Sequence, residues 1–327
     1  MALEYESGLV SILIPSYNHE NYVQKTVKSI INQTYKNIEL IVIDDGSKDN
    51  TFEKILELKK DCERRFVNVI FQKKENEGTC KTLNKLLSLS KGEYIYIIAS
   101  DDLAKPEAIE KEINFLNNNK DYALCAGDND IIDENDIICY WDNKRNNVYK
   151  AEDAVFKTNG EYLKNERKSV NFNSSDFGDY GLLNYSNFIP NGYLIRKNIF
   201  DIIGEFTPEA PLEDYWLMLQ ISKFAKMKYI DEPLFSYRWH SNNTIKVSDR
   251  TKLFDEKTRA YEKTMIEKYR DDNRTTKSFR RFLKYGVLYK KIGIPYIFQI
   301  LKFFKDDKRL MVVKLFNIDI FKRLKKR

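Results

Sequence analysis

The chain has 327 residues, of which 42% are hydrophobic and 32% charged, with a formal net charge of +6. That is enough apolar material for one large core and a smaller appendage, and it argues against an intrinsically disordered chain. No run approaches the ~20 apolar residues of a spanning helix, and MALEYESGLV lacks the basic and apolar regions of a secretory signal, so a cytoplasmic protein is expected.

The four cysteines, Cys62, Cys80, Cys125 and Cys139, show no CxxC spacing and suggest neither a zinc site nor a disulfide framework. The positive charge is concentrated late, in SFRRFLKYGVLYKK, ILKFFKDDKR and FKRLKKR. This reads as a basic tail on a near-neutral body.

GLVSILIP, from Gly8 to Pro15, reads as a buried strand, and Ser16 to Glu20 as the polar loop before a helix over Tyr22 to Gln33. A second strand, Ile38 to Ile43, stops at Asp44-Asp45-Gly46-Ser47. A helix follows over Phe52 to Lys60, and then a third strand over Val67 to Gln72. Asn76-Glu77-Gly78 precedes a helix from about Thr79 to Ser90. The fourth strand, after Gly92, runs Glu-Tyr-Ile-Tyr-Ile-Ile-Ala straight into Ser100-Asp101-Asp102. Strands alternating with helices at this spacing predict right-handed crossovers and a largely parallel sheet, with its polar loops gathered at one edge.

A helix is expected from Pro106 to Asn117, and strands over Tyr122 to Ala126 and Ile137 to Tyr140. Between Trp141 and Asn187 the pattern weakens, as in a variable insertion over a crevice. Leu212 to Ala225 opens a helix with the acid pair Glu213-Asp214. Separate strands over Met227 to Ile230 and Leu234 to Trp239 then lead to His240. From about residue 250 the chain interleaves basic residues with Phe, Leu, Ile and Tyr at helical spacing, including Ile300-Leu301-Lys302-Phe303-Phe304. Such a stretch suits either an anionic membrane surface or a helical appendage packed on the body with a solvated basic face. The expected division is a large α/β domain over 1–248 and a basic helical region over 249–327.

Two acids at the end of a buried strand are costly unless something positive sits beside them. A divalent cation carrying a phosphorylated ligand is a natural partner. Asp101 or Asp102 could instead cap the next helix, Asp44 and Asp45 could be loop or N-cap carboxylates, and Glu213-Asp214 could simply favour a helix start.

Five motifs in order decide between these readings: Pro15-Ser16-Tyr17-Asn18, Asp44-Asp45-Gly46-Ser47, Asn76-Glu77-Gly78, Ala99-Ser100-Asp101-Asp102 and Glu213-Asp214-Tyr215-Trp216. Over about residues 8 to 245 the chain resembles a family 2 inverting glycosyltransferase of the α/β GT-A fold.

The resemblance implies a nucleotide-sugar donor, expected to be a UDP-hexose or UDP-N-acetylhexosamine, used with Mn²⁺ or Mg²⁺. It implies a uracil contact at Asp45, with Pro15, Tyr17, Asn18 and Glu20 beside the base and ribose. Asn76 and Gly78 would allow close approach of the ligand, and Lys81 would reach phosphate. Asp102 resembles the metal-binding last acid of the Asp-x-Asp motif, with Asp101 near the ribose or donor sugar. The first acid of that motif is Ala99 here. His240 is expected either as a further metal ligand or as a surface residue at a strand end, and His19 as loop structure.

Asp214 resembles the catalytic base, with Glu213 as the neighbour that raises its basicity. The acceptor would be a hydroxyl of a growing surface glycan or lipid-linked saccharide, which would bring the chain to the inner face of the membrane. A nucleotidyltransferase is disfavoured because the loop after the first strand is neither glycine-rich nor basic. A nucleotide-sugar-binding or peripheral membrane protein that lost catalysis is the non-enzymatic alternative. No nucleic-acid motif is present.

Overall fold

The computed structural model describes residues 6–241, 243, 246 and 248–285, together with the backbone of 298–305, 308–315 and 318–326. The first half is a βα alternation: β1 (Glu6–Ser16), α1 (Val23–Ile31), β2 (Ile38–Asp44), α2 (Thr51–Glu57), α3 (Lys59–Arg65), β3 (Asn68–Lys73), α4 (Thr79–Leu89) and β4 (Gly92–Ile97). There follow β5 (Leu103–Ala104), α5 (Ala108–Asn118), β6 (Tyr122–Ile132), the hairpin β7 (Ile138–Trp141) and β8 (Asn147–Val148), α6 (Asn159–Glu166), α7 (Tyr180–Leu183) and β9 (Tyr193–Arg196). The catalytic-half elements end with α8 (Phe200–Ile203), α9 (Glu213–Phe224) and β10 (Lys226–Arg238). Regular structure therefore lies inside the 141–187 stretch whose sequence shows no period.

The main sheet runs β3-β2-β1-β4-β9-β6-β10-β5. β1, β2, β3 and β4 are mutually parallel, whereas β9 is antiparallel to both β4 and β6. Both faces of the sheet are covered, which is why β2 reads as an unbroken apolar run rather than an alternating one. Val10, Ile12 and Ile14 pack with Val23, Val27 and Ile30 of α1, and Leu13, Ile41 and Ile43 face Leu83 and Leu86 of α4.

The register sets which residues share an edge. Ser16 pairs with Asp44, and Ile97 with Tyr193 at the start of the reversed strand. β10 runs parallel to β6, ending with Arg238 beside Ile132. It is one strand of 13 residues rather than two. The register shifts on either side of Pro233, which has no N–H to donate to a ladder and so sits at a bulge instead of ending the strand.

α10 (Ser248–Lys268) and α11 (Lys277–Tyr285) are helical, as expected, and they share the body's core. Met265, Tyr269, Phe279 and Phe282 are buried in the same cluster as Trp216 and Leu217 of α9. Phe279 and Phe282 both lie with ring centroids 4.8 Å from Tyr180. The apolar face of α11 is thereby covered, leaving Arg280, Arg281 and Lys284 outward or at the rim.

Further on, the helical expectation fails. β11 (Phe298–Lys305), β12 (Lys308–Leu315) and β13 (Ile318–Lys326) pair as a three-stranded antiparallel sheet. Their aromatic and β-branched residues favour strands, and pairing with sequence neighbours satisfies the backbone without a distant partner. Among the described residues no helix is long and apolar enough to cross a membrane.

Candidate active site

Three loops leave the carboxyl ends of β1, β2 and β3 and interlock. The N–H of Asn18 donates to Ser47 Oγ (2.8 Å), and Asn18 Oδ1 accepts the N–H of Lys48 (2.9 Å). Glu20 is drawn into the same brace: its Oε2 accepts the N–H of Asn50 (3.1 Å) and Asn50 Nδ2 (2.9 Å). Tyr17, 42% exposed, and Asn18 are the exposed residues of this loop, and Pro15, near the end of the β1 register, is partly exposed.

Asp45 is buried, and its carboxylate is closely ligated. It accepts the N–H groups of Glu77 (3.0 Å) and Gly78 (2.9 Å) and an ion pair from Lys74. Burial alone would raise its pKa, but the Lys74 ammonium and the Glu77 N–H hold it below the usual carboxylate value. The loop comes this close because Gly46 has φ +76°, and a Cβ there would meet the Asn76 nitrogen at 2.7 Å. Gly78 likewise has φ +89° as it enters α4. Asn76 is exposed above this turn. Lys81, by contrast, pairs with Glu77 at 3.3 Å on the surface, and Lys74 is the lysine against Asp45. The sequence carried that signal only as a cation adjoining the motif.

At the end of β4 the two acids separate. Asp102 is 2% exposed, and its Oδ1 accepts the N–H of Arg238 on β10 (2.8 Å). Burial, and then the charge of Asp101, push its pKa well above the usual range. Asp101 instead faces the two histidines: His240 Nε2 lies 3.1 Å and His19 Nε2 3.8 Å from its Oδ2. Burial works to raise its pKa, yet the His240 hydrogen bond and the His19 charge keep it low.

His19 is therefore more than loop structure: its Nδ1 is 2.7 Å from Ser100 Oγ. His240 is buried rather than on the surface, its N–H donating to Asn243 Oδ1 (2.6 Å). Arg238 is fully buried beneath Tyr22 and locks this corner, donating from Nε to the Asp101 carbonyl (2.6 Å) and from Nη1 to the Asp133 carbonyl (2.8 Å).

The acid pair at the start of α9 reaches the same edge through the segment that feeds β9. Asn187 Nδ2 donates to Asp214 Oδ2 (3.3 Å), and the Tyr215 N–H donates to Asp214 Oδ1 (2.6 Å). Burial raises Asp214, against which these two donors favour its charged form. Glu213 has no such donor side chain. Burial and the Asp214 charge push it up to about 7. The Tyr193 phenol is raised by burial and by the charges of Asp214 and Glu213. One side chain spans both groups of acids: Tyr237 is raised by burial, then by the charges of Asp102, Asp101 and Asp214, with Arg145 opposing.

A divalent cation can be tested against this donor set. Among the described residues, no cluster of three or more His, Cys, Asp or Glu side chains forms a ready-made metal site. A low-pKa carboxylate beside an imidazole nitrogen nevertheless suits Mn²⁺ or Mg²⁺, which are commonly held by one or two side chains and completed by phosphate oxygens. Asp101 and His240 fit that description. Asp102, turned to the β10 backbone, fits it less well, and this is a change from the order expected of the two acids. The spacing in Ala99-Ser100-Asp101 carries the same information, since Asp101 stands two residues after the missing acid.

Comparison with known proteins identifies the family. The sequence model of Glycosyl transferase family 2 matches residues 11–171. A glycosyltransferase of Haemophilus influenzae is 31% identical over 243 residues, 73% of this chain and 68% of that protein. Glycosyltransferase GlyG of Streptococcus pneumoniae serotype 4 is 30% identical over 245 residues, 73% of this chain and 74% of that protein. Among solved structures, S. aureus TarS 1-349 in complex with UDP-GlcNAc superposes with a TM-score of 0.52 at 15% identity, covering 76% of this chain and 66% of that one. The mannosyltransferase PcManGT from Pyrobaculum calidifontis, in complex with GDP-Man and Mn²⁺, gives 0.55 at 13% identity, covering 84% and 68%. At those identities the likeness is one of fold, the GT-A arrangement of a mostly parallel sheet between helices. With its ordered motifs, its sheet and these relatives, the chain belongs to glycosyltransferase family 2 and is a transferase.

Proposed function

We propose that the chain is a divalent-metal-dependent, inverting glycosyltransferase that moves a hexose or N-acetylhexosamine from a UDP donor to a hydroxyl of a surface glycan or lipid-linked saccharide. The observation that carries this reading is the contact of Asn187 Nδ2 with Asp214 Oδ2 (3.3 Å) in the segment that enters β9, where Tyr193 pairs with Ile97 at the end of β4. It supports the acids after β4 and at the start of α9 serving one crevice.

Asp45, held ionised by Lys74 and the 77–78 amides, accepts the imide N–H of a uracil. Tyr17 lies flat against the base. Asp101 and His240 would hold the cation, which when bound would offset the negative charge of the departing diphosphate. Asp214, its pKa raised by burial while Asn187 Nδ2 and the Tyr215 N–H favour its charged form, takes the proton of the acceptor hydroxyl. The acceptor oxygen bonds to the anomeric carbon as the bond from that carbon to the diphosphate breaks, its electron pair leaving on the diphosphate. One displacement with one base gives inversion. Glu213, titrating at about 7, carries the proton that Asp214 would otherwise compete for at neutral pH.

The apolar face of α11 is packed on the body, so a contact with anionic lipid on the route to a membrane-borne acceptor would run through its exposed basic face, without insertion. The test is nucleotide release from a panel of UDP- and GDP-sugars, with and without Mn²⁺. Mn²⁺-stimulated UDP release that Asp214→Asn blocks while UDP binding persists is expected. Absence of release from every donor, with nucleotide still bound, would favour a binding protein that has lost catalysis.

A further inference from the structure

The β7–β8 hairpin carries a cation that the reaction above does not use. Arg145 sits in its turn with φ +62°, a left-handed conformation that a bulky residue rarely adopts. The turn is enforced locally: Asp142 Oδ1 accepts the N–H groups of Lys144 (2.8 Å) and Asn146 (2.9 Å), and Trp239 Nε1 donates to the Arg145 carbonyl (2.9 Å).

The effect is to lay the guanidinium over three rings, 4.2 Å from the centroid of Trp141, 4.0 Å from Trp239 and 4.6 Å from Tyr162. No carboxylate pairs with it among the described residues, and both its Nε and the nearby Trp141 Nε1 are buried donors without an acceptor. Lys246 adds a second cation, 4.1 Å from the same Trp239 ring. Burial lowers the pKa of each, and for Lys246 the Arg145 charge lowers it further. Two like charges are held together on one indole, with orphaned donors between aromatic walls, and among the described residues no carboxylate forms an ion pair with either.

Their position relates them to the reaction. Trp239 lies one residue before His240, its ring centroid is 5.9 Å from that of Tyr237, and Arg238 between them donates its N–H to Asp102 Oδ1 (2.8 Å). We propose that Arg145 and Lys246 form an anion subsite beside the acids, taking a phosphate or carboxylate group of a substrate through the planar guanidinium fork, with Lys246 as a point charge. This rests on the transferase reading only for the source of the anion: either the donor's diphosphate or an anionic group borne by the acceptor.

The test uses the full chain titrated calorimetrically at low salt with inorganic phosphate, and separately with UDP in the presence of Mn²⁺. For phosphate, Arg145→Met is expected to weaken binding about tenfold or more, with Arg145→Lys intermediate because it keeps the charge but loses the fork. Lys246→Gln, which leaves the aromatic stack in place, is expected to cost about three- to fivefold and covers the case in which Arg145→Met unfolds. If UDP affinity falls in step with phosphate affinity, the anion is the donor's. If UDP affinity holds while phosphate affinity falls, it belongs to the acceptor. Phosphate binding that is absent in the wild type, or equal in wild type, folded Arg145→Met and Lys246→Gln, overturns the subsite. A failure of sugar transfer alone would leave the phosphate titration intact and would count against the function proposed above instead.

Discussion

The ion pair between α9 and α10 offers the sharpest test of how the helical region supports the site. Lys223 and Glu262 have side chains 0% and 3% exposed. Lys223 Nζ donates to Glu262 Oε2 (2.9 Å) and to Gln220 Oε1 (2.7 Å), while Glu262 also accepts Gln220 Nε2 (2.7 Å) and the Tyr180 hydroxyl (2.5 Å). The rings of Tyr269, Tyr180 and Phe279 surround the ammonium at 5.3–6.0 Å. Removing one partner leaves the other charged, desolvated and unpaired, at a cost of about 3–5 kcal/mol. Lys223→Met and Glu262→Leu are each expected to lose that much in urea unfolding, with a fall in Tm of at least about 6 °C. The double variant, which buries no lone charge, is expected to recover about 2 kcal/mol or more over the sum of the two singles. Single variants within about 0.5 kcal/mol of wild type would refute the reasoning, because they would mean the pair is solvated and α10 only loosely held.

Three further outcomes follow from the site. Glu213, an acid whose pKa is raised from 4.5 to about 7, contributes stability that is complete below its ordinary value and is lost as pH rises through about 7. Glu213→Gln should therefore flatten a decline of about 2–3 kcal/mol seen in wild-type thermal unfolding across that window, and a wild-type curve already flat there would count against the assignment. Mn²⁺ affinity, read by titration in the presence of UDP, should fall more for Asp101→Asn than for Asp102→Asn. The reverse order would restore Asp102 as the principal ligand. Gly46→Ala forces a side chain into φ +76° with its Cβ 2.7 Å from the Asn76 nitrogen, so a loss of about 1–3 kcal/mol and weaker UDP binding are expected by denaturation and calorimetry.

The parallel half of the sheet was legible because its strands are continuous apolar runs ending in polar loops, a local pattern. Asp45 and Asp101 were identifiable as members of ordered motifs. What escaped was set by tertiary contact. Nothing in the sequence distinguishes Lys74 from Lys81, and only the fold shows which faces Asp45. Asn187 lies in a stretch without period and gains meaning only beside Asp214. Arg238 and Tyr237 read as ordinary strand residues until β10 crosses the end of β4. The tail at 298–326 was misread because short aromatic and basic runs fit helical and strand spacing alike, and pairing between successive segments decided the matter.

The reversed strand β9 has a consequence for how such a chain can diversify. A parallel strand starts at the far edge of the sheet and ends at the reactive one, so only its outgoing loop touches substrate. β9 does the opposite, and the segment preceding it arrives at the reactive edge, where Asn187 meets Asp214. Sequence can therefore vary in the exposed loops between the hairpin and β9, provided the buried anchors Phe172, Phe177, Tyr180 and Phe188 are kept. If the proposed function holds, retargeting the chain to a new acceptor would begin with those loops.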